Sequence, residues 1–125
     1  GLGRTVDAIK VSLGNFQPIE KLSFSCFGEQ KFLDELEKLN ITDIIILGIE
    51  AHVCITKTIL DAIARGYRVH LVTDAISSRS ESNYKIAIER AKQAGAFLAT
   101  SEMILFQLMD SAGTEEFKKI SKIIR

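Results

Sequence analysis

The stretch IIILGIEAHVCITKTILDAIARG, residues 44–66, decides the fold. Its first half, read with the residues before it as ITDIIILGI (41–49), is a largely β-branched run, apolar without a break from Ile44 to Leu47 and closed by Gly48. Such a run, without polar alternation, fits a strand buried on both faces of a parallel sheet, because crossover helices cover both sides of that strand. The second half changes period. Ile55, Ile59, Ala62 and Ile63 recur at helical spacing as one apolar stripe, and Gly66 stands where a helix end accepts a left-handed residue.

Downstream, YRVHLVTDA (67–75) repeats the strand pattern and runs into the polar turn ISSRSESN (76–83). There Ser78 and Glu81 have the spacing of a capping box for a helix through about Ala94. GAFLATS (95–101) predicts a third strand, and EMILFQLM and TEEFKKISKII predict two more helices. Upstream, Phe32, Leu33, Leu36 and Leu39 predict a helix near 29–39 with Asn40 at its end. A short extended piece within NFQPIEKLSFSCF (15–27), which holds the only proline, precedes it. Strands alternating with helices require right-handed crossovers, so the expected class is α/β, a three-layer, doubly wound, Rossmann-like parallel sheet.

A chain of 125 residues, 46% of them hydrophobic, is one domain or part of one. Sixteen basic residues balance sixteen acidic ones with no run of like charge, which argues against a nucleic-acid or membrane-surface partner and for a small molecule or a protein. No apolar run approaches the roughly 20 residues of a membrane span, and no basic-then-apolar leader opens the sequence. The expectation is a soluble, cytoplasmic protein. Cys26 and Cys54 lack the spacing of a zinc site or a disulfide framework and read as free thiols. No dinucleotide or phosphate loop is present, so no cofactor is identifiable.

In open α/β sheets, ligands sit beyond the carboxyl ends of the strands, where strand hands over to helix, and Cys54 falls at that handover. On a helical wheel it lies with Thr58, Asp61 and Arg65, off the core stripe. A first helical turn offers unpaired N–H groups and the positive end of the macrodipole, which favour a thiolate and can hold an oxyanion. Position alone leaves nucleophile and packing residue both open. His52 falls on the wheel beside Ile55 and Ile59 and reads as structural or supporting, and His70 as a strand residue. Asp74, Ser77, Ser78 and Arg79 either border the crevice or serve turn and cap chemistry.

GIEAHVC, DAISSRS, GAFLATSE and FKKISKII, in this order, resemble the isochorismatase-like cysteine hydrolases, most closely the eukaryotic isochorismatase domain-containing proteins. The family includes nicotinamidases. The resemblance implies an Asp, Lys, Cys triad, with Cys54 as nucleophile and Lys21, opening the segment KLSFSCF, as the lysine. It also implies a non-proline cis peptide joining Ile49 and Glu50, and an oxyanion held by the N–H groups of Glu50 and Cys54. The implied chemistry is hydrolysis of a small amide or related carbonyl compound through a thioester, often in homo-oligomers. Family members that cleave a vinyl ether lack the cysteine, so Cys54 points to the amidase-like branch.

The family's acid ends a first, central strand that lies before every motif quoted, and Asp7 follows no strand pattern; Asp43, Asp61 and Asp74 belong to other elements. The expectation is therefore the C-terminal part of a larger domain (residues 1–125), with the missing strand and any metal ligands supplied from elsewhere. A non-catalytic α/β binding or assembly module is the alternative. The apolar face Phe117, Ile120, Ile123 and Ile124 of the last helix packs either on the domain or on another subunit.

Overall fold

The computed structural model describes residues 3–15 and 17–124. Element order is α1 (Asp7–Ser12), a 3-10 turn (Cys26–Gly28), α2 (Gln30–Leu39), β1 (Asp43–Ile49) and a π-turn (Ala51–Ile55) that continues into α3 (Thr56–Ala64). Then come β2 (Arg68–Ser77), α4 (Glu81–Ala94), β3 (Phe97–Ala99), α5 (Ser101–Gln107) and α6 (Glu115–Ile123). The three strands are parallel in the order β1-β2-β3. The alternation read from the sequence therefore gives the α/β sheet it requires.

One sheet face carries the main core. Ile46, Val69 and Leu71 meet Ile55, Ile59 and Ala62 of the α3 stripe, Ala87 and Ala91 of α4, and Leu36 of α2. Ile59 and Leu71 are fully buried; each such side chain contributes about 1.5–3 kcal/mol by leaving water. On the opposite face, Val72 and Ala99 pack under Ile104 of α5. The rest of that face stays open, with Ile45, Leu47 and Ile49 on β1 and Phe97 on β3 exposed. Helices thus flank both faces, unequally.

Several local expectations change. Residues 17–21 belong to no helix or strand and Leu22–Ser25 form bends, and α1, which buries no side chain, had no periodic signal. The helix after β2 begins at Glu81, and its cap is Ser80, whose hydroxyl accepts the Asn83 N–H at 3.2 Å. Ser78 does not cap, because it lies two residues too early. The helix after β1 opens as a π-turn, with the Ile55 N–H donating to the Glu50 carbonyl at 3.2 Å.

The register of β1 against β2 is interrupted. Ile46 pairs with Leu71 but Gly48 pairs with Ile76, so β2 takes five residues where β1 takes two. The extra residues bulge outward and are tied down. The Tyr84 hydroxyl donates to the Thr73 carbonyl at 2.7 Å, and the Asp74 carboxylate accepts the Ser101 N–H at 2.7 Å. A bulge of this kind re-aims whatever follows it, and here it carries Ser77–Arg79 up beside the end of β1.

Candidate active site

The carboxyl end of β1 delivers the chain into the turn that carries Cys54. The Ile49–Glu50 peptide is cis, and Gly48 before it has φ +117°, a conformation that glycine adopts without a side-chain clash. The Glu50 carbonyl accepts two N–H groups of the turn, from Val53 at 3.1 Å and Ile55 at 3.2 Å. The Thr56 hydroxyl closes the turn by donating to the Ala51 carbonyl at 2.6 Å. Cys54 is a free, half-buried thiol within it.

The polar stripe predicted for this helix is present and runs from a buried Thr58 through a half-buried Asp61 to an exposed Arg65. Thr58 is buried, and its hydroxyl oxygen accepts the Cys26 N–H at 3.1 Å. The Asp61 carboxyl is held below the usual carboxylate range, first by a hydrogen bond from Lys57 and then by one from Ser25. The Arg65 guanidinium lies 4.8 Å from the centre of the Phe27 ring. Thr58, Asp61 and Arg65 are thus the seat of the Ser25–Phe27 turn, which belongs to the segment opened by Lys21, and Cys54 lies in the π-turn that leads into their helix. The Lys21 ammonium folds that segment on itself by donating to the carbonyls of Ser23 at 2.7 Å and Phe24 at 3.0 Å.

A cavity of about 510 Å³ lies between the two pieces, bordered by Ser23, Phe24 and Ser25 on one side and by His52, Val53 and Thr56 on the other. The Lys21 segment and the Cys54 turn therefore meet across it, although neither Lys21 nor Cys54 lines it. Leu60 and Phe27 give it an apolar floor, and Arg90 brings a cation to its rim. This is a mixed lining suited to a small polar molecule.

His52 departs from the core position that a regular wheel assigns, since the π-turn inserts a residue before the stripe. It is half-buried, borders the cavity, and sets Nδ1 3.0 Å from the Ser78 hydroxyl. The Glu50 carboxylate accepts the Arg79 N–H at 3.3 Å and lies 3.4 Å from Arg79 Nε. Ser78 and Arg79 thus bond to the turn that borders the cavity without lining the cavity themselves, whereas Asp74 binds Ser101 in cap-like fashion. Neither pairing could be read from spacing, because both depend on the bulge in β2.

The other expected carboxylates lie elsewhere. Asp43 sits at the amino end of β1, the far end of the strand from Cys54. There it accepts from Arg68 at 2.9 and 2.6 Å and faces His70 Nε2 at 3.0 Å. His70 also stacks on Phe97, with ring centres 5.3 Å apart. Among the described residues no group of three or more His, Cys, Asp or Glu is placed to hold a metal ion.

Comparison with known proteins places the family and the fold. The isochorismatase domain model matches residues 3–103. The mouse isochorismatase domain-containing protein 2A is 42% identical over 126 residues, covering all of this chain and 59% of the mouse protein. Among solved structures, one titled as the MAR1 ribonuclease of Caenorhabditis elegans superposes with a TM-score of 0.88 at 40% identity, covering 99% of this chain and 64% of that one. The ycaC product of Escherichia coli, titled an octameric hydrolase of unknown specificity, gives 0.75 at 27% identity, covering 82% of this chain and 50% of that one. The chain therefore spans about three fifths of the length of its curated relatives and, by sequence and by fold, belongs to the isochorismatase family of hydrolases.

Proposed function

We propose that Cys54 is the nucleophile of a cysteine hydrolase acting on a small amide or a related carbonyl compound. The observation that carries this reading is the docking of the Ser25–Phe27 turn on Thr58, Asp61 and Arg65, because it ties the Lys21 segment to the helix that the Cys54 turn opens, with one cavity between that segment and that turn. A carboxylate, implied by the family resemblance to end a strand beside β1, takes the thiol proton. The thiolate adds to the substrate carbonyl, and the N–H groups of Glu50 and Cys54 receive the oxyanion. The C–N bond breaks, the proton passes to the departing nitrogen, and ammonia leaves a thioester on Cys54. Water then cleaves the thioester and returns the proton to the thiol. Lys21 contributes positive charge beside the thiolate and orients the acid.

The test is ammonia release from a panel of small primary amides by the full-length protein, with the acyl adduct on Cys54 trapped by rapid quench and mass spectrometry. Turnover falls by at least about 100-fold in Cys54→Ala if the thiol is the nucleophile. Undiminished turnover in that variant rejects the reading. Homo-oligomerisation belongs to the same proposal, supported by the octamer described for the E. coli neighbour and by the exposed Ile123 on the α6 face; sedimentation velocity reads it directly.

A second reading follows from the nematode structure titled a ribonuclease. In it the substrate is RNA and the bond broken is a phosphodiester. Against it stands the balance of sixteen basic and sixteen acidic residues, which provides little of the salt-dependent affinity typical of nucleic-acid binders. Cleavage of a single-stranded RNA oligonucleotide by the same preparation, with every amide left intact, selects this reading instead.

A further inference from the structure

We propose that the loop Ser78–Ser80 is a clamp that positions the nucleophile turn, with Glu50 and His52 as its anchor points; this rests on the reading of Cys54 as a nucleophile. Glu50 works at both of its ends. Its backbone carbonyl holds the N–H groups of Val53 and Ile55, which define the turn around Cys54, and its carboxylate holds the N–H and guanidinium of Arg79. The Glu50 side chain is 17% exposed and that of Arg79 76%, so the carboxylate end of the pair is held in the fold while the guanidinium end stands in solvent. Two residues further on, His52 Nδ1 meets the Ser78 hydroxyl at 3.0 Å. The pairs 50–79 and 52–78 thus form two rungs between the turn and the loop.

The loop is itself fixed at both ends. Behind it, β2 pairs with β1 up to Ile49↔Ser77, in the register set by the bulge. Ahead of it, Ser80 caps α4 by accepting the Asn83 N–H. Extending the earlier register, in which Ile46 faces Leu71, would bring Ala75 opposite Glu50, whereas the observed register sets Ser77 beside Ile49 and so brings Ser78 and Arg79 up to Glu50 and His52. The bulge in β2 therefore supplies the clamp. Since His52 also borders the cavity, movement of the loop passes directly to the cavity wall and to the Cys54 turn. Ser78, Arg79, Glu50 through its side chain, and His52 are positioning residues in this account.

The experiment measures, in the full-length protein at fixed pH, the rate at which iodoacetamide alkylates Cys54 and Cys26, resolved by peptide mass, in wild type, Ser78→Ala, Ser78→Thr and Glu50→Gln. Hydrogen exchange of the 51–55 amides and the urea midpoint are followed in parallel. Ser78→Ala is expected to slow Cys54 about 5–10-fold, leave Cys26 unchanged and raise exchange at 51–55, as loss of one directed hydrogen bond permits. Ser78→Thr, which keeps the hydroxyl, is expected to restore the Cys54 rate to within about twofold. Glu50→Gln, which keeps an acceptor but loses the charge, slows Cys54 as well and guards against a single uninformative variant. If wild-type Cys54 is fast and both Ser78→Ala and Glu50→Gln match it, the clamp is overturned and the hydrolase reading stands. If wild-type Cys54 reacts no faster than Cys26, the hydrolase reading fails first and the positioning role falls with it.

Discussion

Thr58→Val isolates the contact that seats the Lys21 segment. Thr58 is buried on α3, and its side-chain oxygen accepts the Cys26 N–H at 3.1 Å. Valine keeps the branched shape and volume, so no cavity opens, but the Cys26 N–H loses its acceptor. An unsatisfied buried donor costs about 1–3 kcal/mol, and the partial burial of this pair places the expectation at about 1–2 kcal/mol. For a chain of this length that corresponds to a fall in Tm on the order of 5 °C. Thr58→Ser keeps the acceptor and loses one methyl, so its cost is about 1 kcal/mol or less. Urea unfolding gives the two free energies, and hydrogen exchange shows where protection is lost: first at Cys26–Gly28, before the sheet. A Thr58→Val protein as stable as wild type, with unchanged protection at those amides, refutes the docking role of this bond.

Other perturbations separate the remaining parts. Ile59→Ala, at a side chain 1% exposed in the centre of the core, is expected to cost about 2–5 kcal/mol, whereas Ile123→Ala, 75% exposed, changes stability by less than about 0.5 kcal/mol; equal effects in denaturant titrations contradict the core assignment. Lys21→Met removes both bonds to the Ser23 and Phe24 carbonyls and is expected to slow Cys54 alkylation several-fold, with partial recovery in Lys21→Arg; an unchanged rate removes Lys21 from the site. Asp43 is held well below the usual carboxylate range by hydrogen bonds from Arg68, then Thr42, then His70. A depressed folded-state value means its contribution is complete above the unfolded value, near about 4, and is lost as pH falls below it. The gap in urea midpoint between wild type and Asp43→Asn should therefore hold constant from neutrality to about pH 5 and close in more acidic solution; a gap that widens toward acid contradicts the pairing.

Much of this architecture could be read from local periodicity. The unbroken run before Gly48 and the stripe Ile55, Ile59, Ala62 and Ile63 are one-dimensional patterns, and they appear as β1 and the buried face of α3. The helix expected near 29–39 appears as Gln30–Leu39 for the same reason. What escaped depends on tertiary context. A wheel advancing 100° per residue cannot register the extra residue of the π-turn, so it sends His52 to the core instead of the cavity wall. Ser78 has capping-box spacing on sequence, and only the folded course of β2 shows that Ser80 takes the cap while Ser78 turns to His52. The polar stripe of α3 was legible as polar, but its contact with Ser25–Phe27 joins residues more than thirty positions apart in sequence.

The central claim concerns one thiol, and the protein carries its own control. Cys26 and Cys54 are both free and half-buried, so exposure alone does not separate them. Competitive alkylation of the full-length, folded protein at neutral pH, read as the ratio of modified peptides over time, compares them in one tube. The account predicts that Cys54 reacts at least about tenfold faster than Cys26, because only Cys54 stands at the strand-to-helix turn, at the amino end of α3. Equal, slow labelling of the two cysteines contradicts it.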